Sequence, residues 1–460
     1  MEEIDVDVVV VGAGGCGLTA ALAAAEAGCS VAVLEKTERA GGNTWLSTGS
    51  VPAAGSRQQN EAGVPDSPEQ MTKDLIQKSG PHDAEDLVAL LASESGSLVD
   101  WLVDDHKVDL QLILDYKHVG HSLTRLHAPA ARKGEFLVRD LVSAVNRLGV
   151  DIVTGNPVAG LLVEDGRVTG VKVSGERSGE YTLRARAVVL ASNGFGGNRE
   201  MLCRWIPEIA EAQYFGAEGS TGEAIAWAEE LGADLLNMGA YQGYAAVAYP
   251  HGSITSWTTV EMGACLLGPD GHRMGDESVG YSAFAPIVSA AASESWVVFD
   301  TRIRDYVASN EEEFSDLVEI GGVVEAENSA RVAGITGLDA AAVDEALTAF
   351  AAAARGETAD EFGRTDFGFG PLSEPYCVVK SIPALFHTQG GVRVSDSAEV
   401  VTSNGFAVPG LYAGGGVAAG ISGREGAAGY SSGNGLLTAV GLGRIAGAAA
   451  ANYAQEEGRS

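Results

Sequence analysis

Residues 4–36 read IDVDVVVVGAGGCGLTAALAAAEAGCSVAVLEK. Val6–Val11 is dominated by β-branched residues, the composition of a strand buried on both faces of a parallel sheet. Leu18–Ala27 is rich in Ala and Leu and reads as a helix that Gly28 stops, and Val31–Leu34 reads as a second strand. Strand, glycine turn, helix and strand make a βαβ unit. Gly12, Gly14 and Gly17 form G-x-G-x-x-G in the turn. The first permits the turn, the second lets backbone amides approach a pyrophosphate, and the third allows close helix–strand packing. The helix N-terminus then presents N–H groups and a positive dipole end to phosphates. Glu35 ends the second strand, where a carboxylate accepts both ribose hydroxyls and disfavours a 2′-phosphate. A Gly-rich turn without ligand is the plain alternative for the motif alone; the βαβ context and Glu35 favour a dinucleotide.

Further along, residues 67–148 are mostly helical in pattern, with amphipathic segments at 84–102 and 134–148. Residues 151–173 alternate as a meander, with Asp165–Gly166 as the hairpin turn, and Arg186–Ala191 is a second buried strand ending at glycines. From Tyr244 to Gly370 short aromatic-rich strands surround a helix at 339–355. Gly410–Gly416 is again a strand running into glycines, and Leu436–Ala451 is a closing helix. The expected architecture is α/β: a discontinuous Rossmann-like nucleotide-binding domain at 1–243 and 371–460, carrying a helical insertion at about 60–148. An inserted α+β capping domain occupies 244–370.

At 460 residues the chain is long enough for two or three domains, and its 45% hydrophobic and 20% charged content is that of a globular protein. A net charge of −32 repels phosphate backbones and anionic lipids, so neither nucleic acid nor a membrane surface is an expected partner. Cys16, Cys29, Cys203, Cys265 and Cys377 form no C-x-x-C, which excludes an attached c-type haem and points away from zinc or iron–sulfur ligation. No metal is expected. Their odd, dispersed count suits a reducing compartment. The N-terminus has an acidic start and only a short apolar run, so a cytoplasmic location is expected.

Several segments together resemble the flavoproteins related to fumarate reductase, succinate dehydrogenase and 3-ketosteroid dehydrogenase, over nearly the whole chain. They are GAGGCGLTAAL with VAVLEK, AGGNT at 40–44, LASNGFGGN at 190–198 and STGEAI at 220–225. HTQGGV at 387–392, LYAGGGVAAG at 411–420 and SGNGL at 432–436 complete the set. The resemblance implies a glutathione-reductase-type FAD-binding domain and FAD as the cofactor. It carries cofactor contacts onto Gly12, Gly14, Gly15, Gly17, Glu35, Lys36, Gly41, Gly42, Asn43 and Thr44. Further along, it carries them onto Val158, Ala191, Ser192, Asn193, Gly194, Gly415, Gly433, Asn434 and Leu436. Members with covalent flavin have a His where this chain has Asn43, so a noncovalent FAD is implied. Two departures stand out: Glu223 replaces the usual Asp of T-G-D-G, and Gly416 stands where Glu is usual.

The same resemblance implies the chemistry. Fumarate reductases hold their dicarboxylate with an Arg at the position of Tyr430. A Tyr there resembles the ketosteroid dehydrogenases, whose Tyr donates to the substrate ketone, and Tyr430-x-Ser432 is similar to the branch that desaturates the 4,5 bond. HRMGDESVGYSAF at 272–284 resembles the cap segment of the same enzymes and makes Tyr281 the candidate base. Glu277 is shared with the fumarate-reductase proton relay, while the relay's Arg gives way to Tyr281. On residue type alone, either Tyr is equally a packed ring with a satisfied hydroxyl. Arg304 aligns with a cap Arg that acts as general acid in soluble fumarate reductases, or is a surface residue. His387 fits a substrate-binding His of those enzymes and departs from the ketosteroid branch; a small keto acid would reconcile it with Tyr430.

Ser432, Gly433, Thr388 and Tyr116 are the remaining candidate substrate contacts, with His118 and His121 following Tyr116. Arg125 and His127 resemble a stretch near the fumarate-reductase site or are surface residues. The implied reaction is an FAD-dependent α,β-dehydrogenation of a cyclic ketone or keto acid, with hydride to flavin N5 and the α-proton to Tyr281. Reduction of a small unsaturated carboxylate is the alternative. An external electron acceptor is expected as a partner.

Overall fold

The strand β1 (Glu3–Val11), the helix α1 (Gly15–Glu26) and the strand β2 (Val31–Leu34) form as the opening residues require. β1 lies parallel to β2 in the register Val8↔Val31 and parallel to Gly179–Leu190 in the register Val8↔Ala187. Val8, Val9 and Val10 are wholly buried, so an alternating pattern would leave polar groups on one covered face. Asp151–Val153 adds to β2, and Ala407–Ala413 adds to Gly179–Leu190, both parallel. The antiparallel strands Val158–Glu164 and Arg167–Gly175 turn at Asp165–Gly166 and return to Gly179–Leu190.

In this computed structural model, residues 3–115, 117–175, 179–291 and 294–458 are described. The chain forms two compact units. One holds Met1–Ile206, Gly216–Tyr241 and His387–Ser460; the other holds Pro207–Phe215 and Gln242–Phe386. The limits of 244 and 370 expected for the cap both fall within the second unit.

In the first unit the closing helix, Asn434–Glu457, lies against α1 at glycine contacts. A Cβ on Gly443 would stand 2.4 Å from the Cys16 carbonyl oxygen, and one on Gly447 2.2 Å from that of Ala20. Only glycine permits such helix packing. The helical insertion holds Pro68–Ser79, Glu85–Asp104 and Gly134–Arg147. Its strands Gln111–Leu112 and Leu126–Ala128 join Val51–Pro52, which precedes it, in a small antiparallel sheet that no sequence periodicity announced.

The second unit is built on an antiparallel sheet. Ser295–Asp300 pairs with Cys265–Leu267 on one side and with Tyr376–Thr388 on the other. Phe284, Phe299, Phe314 and Phe350 fill its core with Val297 and Val298. Among the described residues no helix is long and apolar enough to cross a membrane.

Candidate active site

The turn between β1 and α1 brings the glycines of the motif against two other strand ends. Gly12 has φ +106°, and a Cβ there would stand 2.6 Å from the Ala191 carbonyl oxygen; on Gly17 it would stand 1.8 Å from that of Gly12. Gly14 caps α1 with no side chain, leaving the helix end open. Glu35 is buried, and its carboxylate accepts from Ala13 N at 2.9 Å and from Thr37 N and Oγ1 at 2.8 Å. Val153 and Asn156 bond its backbone, two residues before the half-buried Val158.

The short helix α2 (Gly42–Leu46) completes the cradle. Gly41 N donates to Ala13 O, and Gly15 N donates to Thr44 Oγ1 at 3.0 Å. Asn43 Oδ1 accepts from Ala217 N at 2.6 Å. Nothing lies within 4 Å of where a Cβ on Gly42 would stand. An open helix N-terminus beside a fixed carboxylate and a bare glycine edge suits the pyrophosphate and ribose of a dinucleotide. Lys36 is engaged elsewhere: its Nζ donates to Thr221 Oγ1 at 2.8 Å and pairs with Glu223 at 2.9 Å. The Glu in place of the expected Asp thus reaches the lysine that follows Glu35.

At the other pole, the loop Ala191–Gly194 follows the strand parallel to β1, with Asn193 at φ +69°. Thr388 Oγ1 accepts from Phe195 N at 3.1 Å, and a Cβ on Gly194 would stand 2.1 Å from it. Gly416 packs as tightly: a Cβ there would stand 3.0 Å from His387 Nε2, so the side chain usual at this place has no room in this arrangement.

His387 sits in a continuous chain of hydrogen bonds. Gln389 Nε2 donates to His387 Nδ1 at 2.8 Å, so the imidazole proton lies on Nε2, which donates to Asn193 Oδ1 at 2.9 Å. Asn193 Nδ2 continues to Ser220 Oγ at 2.7 Å. On the other side, Ser422 Oγ donates to Gln389 Oε1 at 2.9 Å and accepts from Asn434 Nδ2 at 3.2 Å. Loss of water around the ring pushes the His387 pKa down to about 4, so it stays neutral near neutral pH. Both nitrogens of His387 are thus engaged within the chain. Gln389 and Ser422 were not singled out from the sequence, although Gln389 stands inside the HTQGGV motif.

The closing helix starts at Gly433, φ +82°. Asn434 is fully buried, and its Oδ1 has no protein partner among the described residues, an acceptor available to a bound group. Leu436 is buried in the same turn. The ring of Tyr430 is buried, with its hydroxyl oxygen 3.6 Å from where a Cβ on Gly435 would stand. Ser432 N donates to Val119 O at 2.9 Å, and His121 Nε2 donates to Ser432 O at 2.8 Å. Arg125 is no surface residue: its guanidinium is buried and pairs with Asp66 at 2.7 Å and Asp74 at 2.6 Å. His127 is wholly buried, bonded to Ser56 Oγ and Arg125 O. Tyr116 lies outside the described residues.

In the second unit Tyr281 is the first residue of the helix Tyr281–Ala290, whose N-cap Gly280 has no side chain. Its ring stacks on Tyr244 at 5.1 Å and meets Trp257 edge-on at 6.4 Å. Tyr244 stacks in turn on Phe386 at 5.0 Å, and Phe386 on Phe215 at 5.8 Å. Burial holds the Tyr244 phenol well above its usual pKa, and it donates to Thr255 O at 3.0 Å. Four of these five rings come from sequence stretches with no motif, and only the fold collects them. Glu277 is wholly buried between Arg273 at 2.6 Å and Arg364 at 3.1 Å, and accepts from Leu266 N. The structure thus gives it a holding role in the unit's core. The guanidinium of Arg304 is bound by Asp305 and Glu325, both at 2.8 Å.

Comparison with known proteins adds four likenesses. The family described as FAD binding domain matches residues 7–432. The probable fumarate reductase Ifc3 of Shewanella frigidimarina is 29% identical over 463 residues, covering 98% of this chain and 75% of the relative. The urocanate reductase of Eggerthella lenta is 31% identical over 429 residues, covering 89% and 69%. Among solved structures, the 3-ketosteroid-Δ4-(5α)-dehydrogenase from Rhodococcus jostii RHA1 superposes with a TM-score of 0.77 at 25% identity, covering 97% of each chain.

Proposed function

The chain belongs to the FAD binding domain family and is an FAD-dependent oxidoreductase acting on CH–CH groups; on that premise we propose that it desaturates a cyclic ketone at its α,β bond. The substrate is a 3-ketosteroid or a smaller ring. The observation that carries this reading is the aromatic stack of Tyr281, Tyr244, Phe386 and Phe215 with Trp257. The half-buried rings at the two ends of the stack, Tyr281 and Phe215, suit a flat apolar ring.

When bound, FAD supplies the acceptor for the hydride that leaves the β-carbon. Tyr281, the first residue of the helix Tyr281–Ala290, takes the α-proton. Tyr430, with backbone N–H groups near Gly433, donates to the ketone oxygen and stabilises the charge that develops there. The neutral His387 holds Asn193 and Gln389 in place and bears no positive charge for a carboxylate. FAD is held without a covalent link, since Asn43 offers no imidazole where the covalent relatives have one; acid precipitation should therefore leave the flavin in the supernatant. An external acceptor reoxidises the flavin.

The likeness to fumarate and urocanate reductases supports a second reading, reduction of a small unsaturated carboxylate. That reading needs a cation for the acid, and Arg304, its candidate, is bound by Asp305 and Glu325. The decisive experiment is anaerobic mixing of the oxidised holoenzyme with saturated cyclic ketones or succinate, followed by flavin absorbance. Bleaching by a ketone and not by succinate supports the dehydrogenase. Bleaching by succinate alone, or reoxidation of reduced enzyme by fumarate alone, overturns it.

A further inference from the structure

The segment Tyr430–Gly433 owes its position to a loop far away in sequence. Val119 and His121 bond Ser432 on both of its peptide faces: Ser432 N donates to Val119 O, and His121 Nε2 donates to Ser432 O at 2.8 Å. Between them Gly120 adopts φ +85°, and a Cβ there would stand 2.1 Å from Ser431 Oγ, so the two backbones touch. His121 is itself oriented. Its Nδ1 receives a long hydrogen bond, 3.4 Å, from Arg125 NH1, which leaves the imidazole proton on Nε2, facing Ser432 O. Arg125 is fixed by Asp66 through Nε and NH2, at 2.7 and 2.8 Å, and by Asp74 through NH1. Asp74 is further held by Ser122 N at 2.9 Å and by Gln70 Nε2 at 2.8 Å. A relay of carboxylate, guanidinium, imidazole and carbonyl thus runs from the helical insertion into the turn that carries Tyr430.

We propose that His121 is a positioning residue for the reaction, setting Tyr430 and Ser432 against the substrate ketone through its bond to the Ser432 carbonyl. This rests on the reading of Tyr430 and Ser432 as ketone-binding residues. An imidazole locked in one tautomer by a buried ion pair is a stiffer support than a loop side chain alone. Displacement of a donor by a fraction of an ångström weakens a developing-charge contact far more than it weakens flavin binding. Removal of the Nε2 donor is therefore expected to lower the rate of hydride transfer while leaving the cofactor in place.

The test uses the holoenzyme and a ketone that bleaches it. His121→Leu should slow bleaching at saturating ketone by about 10- to 100-fold, with flavin content and Tm near those of the parent. His121→Gln, which restores an N–H donor, should recover most of the loss. Parent-like bleaching by His121→Leu, or no rescue by Gln, overturns the proposal. Tyr430→Phe, run in parallel, separates the two layers. If it bleaches normally, the ketone reading itself fails; if it is inactive while His121→Leu is normal, only the positioning role fails. Should His121→Leu not fold, 15N spectra of the unsubstituted holoenzyme decide: a proton on His121 Nε2 upholds the relay, and a proton on Nδ1 overturns it.

Discussion

A methyl group on Gly17 would lie 1.8 Å from the Gly12 carbonyl oxygen, well inside any van der Waals contact. Gly17→Ala should therefore yield protein with little or no flavin, measured as absorbance near 450 nm per mole of chain. Glu35→Gln tests the other end of the cradle. It keeps the shape but exchanges an acceptor oxygen for a donor facing Ala13 N or Thr37 N, and should weaken FAD retention by roughly 10-fold or more, as loss of about 1.5–3 kcal/mol of charge-assisted bonding implies. These residues were legible in the sequence because a turn that lets a phosphate approach backbone admits few residue types. Lys36 was legible only as a neighbour of Glu35. Its bond to Glu223, 187 positions away, could not be read from the chain.

Glu277 shows how an element can redirect a motif residue. By resemblance it belongs to a proton relay, yet here it joins the 3-10 turn Glu277–Val279 to the strand Cys265–Leu267 through Arg273, Arg364 and Leu266 N. Arg273 also pairs with Asp360. Glu277→Gln leaves two buried guanidiniums short of a counter-charge. It should destabilise the protein by about 3–5 kcal/mol in urea unfolding, with flavin content of the folded fraction unchanged. Arg304→Ala, which removes only a partly exposed pair, should alter stability by less than about 1 kcal/mol and ketone turnover hardly at all. Long strands and helices were readable from their apolar periods. The strands Val51–Pro52 and Gln111–Leu112 were not, since two residues contain no period.

Six histidines couple the whole fold to pH, with burial lowering the pKa of His82 and His106 as well as of the four that follow. Burial pushes His121, His127 and His387 down to about 4 and His118 down to about 3, below the ordinary value of 6.5. Each is neutral in the fold and takes a proton first in the unfolded chain. Their contribution to stability is thus complete above pH 6.5 and is lost as pH falls from 6.5 towards 4. Urea midpoints should rise across that interval and level off above it; a midpoint that falls with rising pH there would contradict the burial of these rings. The net charge of −32 adds self-repulsion, so moderate salt should raise Tm.

By itself the sequence determined the strand, glycine turn and helix from Gly12 to Glu35 that we propose cradle the nucleotide, because each is dictated in succession by local sterics and apolar pattern. The tertiary structure alone decided which nitrogen of His387 carries the proton, what holds Ser432, and which rings stack on Tyr281. His387 meets Asn193 across 194 positions and His121 meets Ser432 across 311. Contacts of that kind depend on how the sheet order and the insertion bring distant segments together, and no local period or propensity encodes such a meeting.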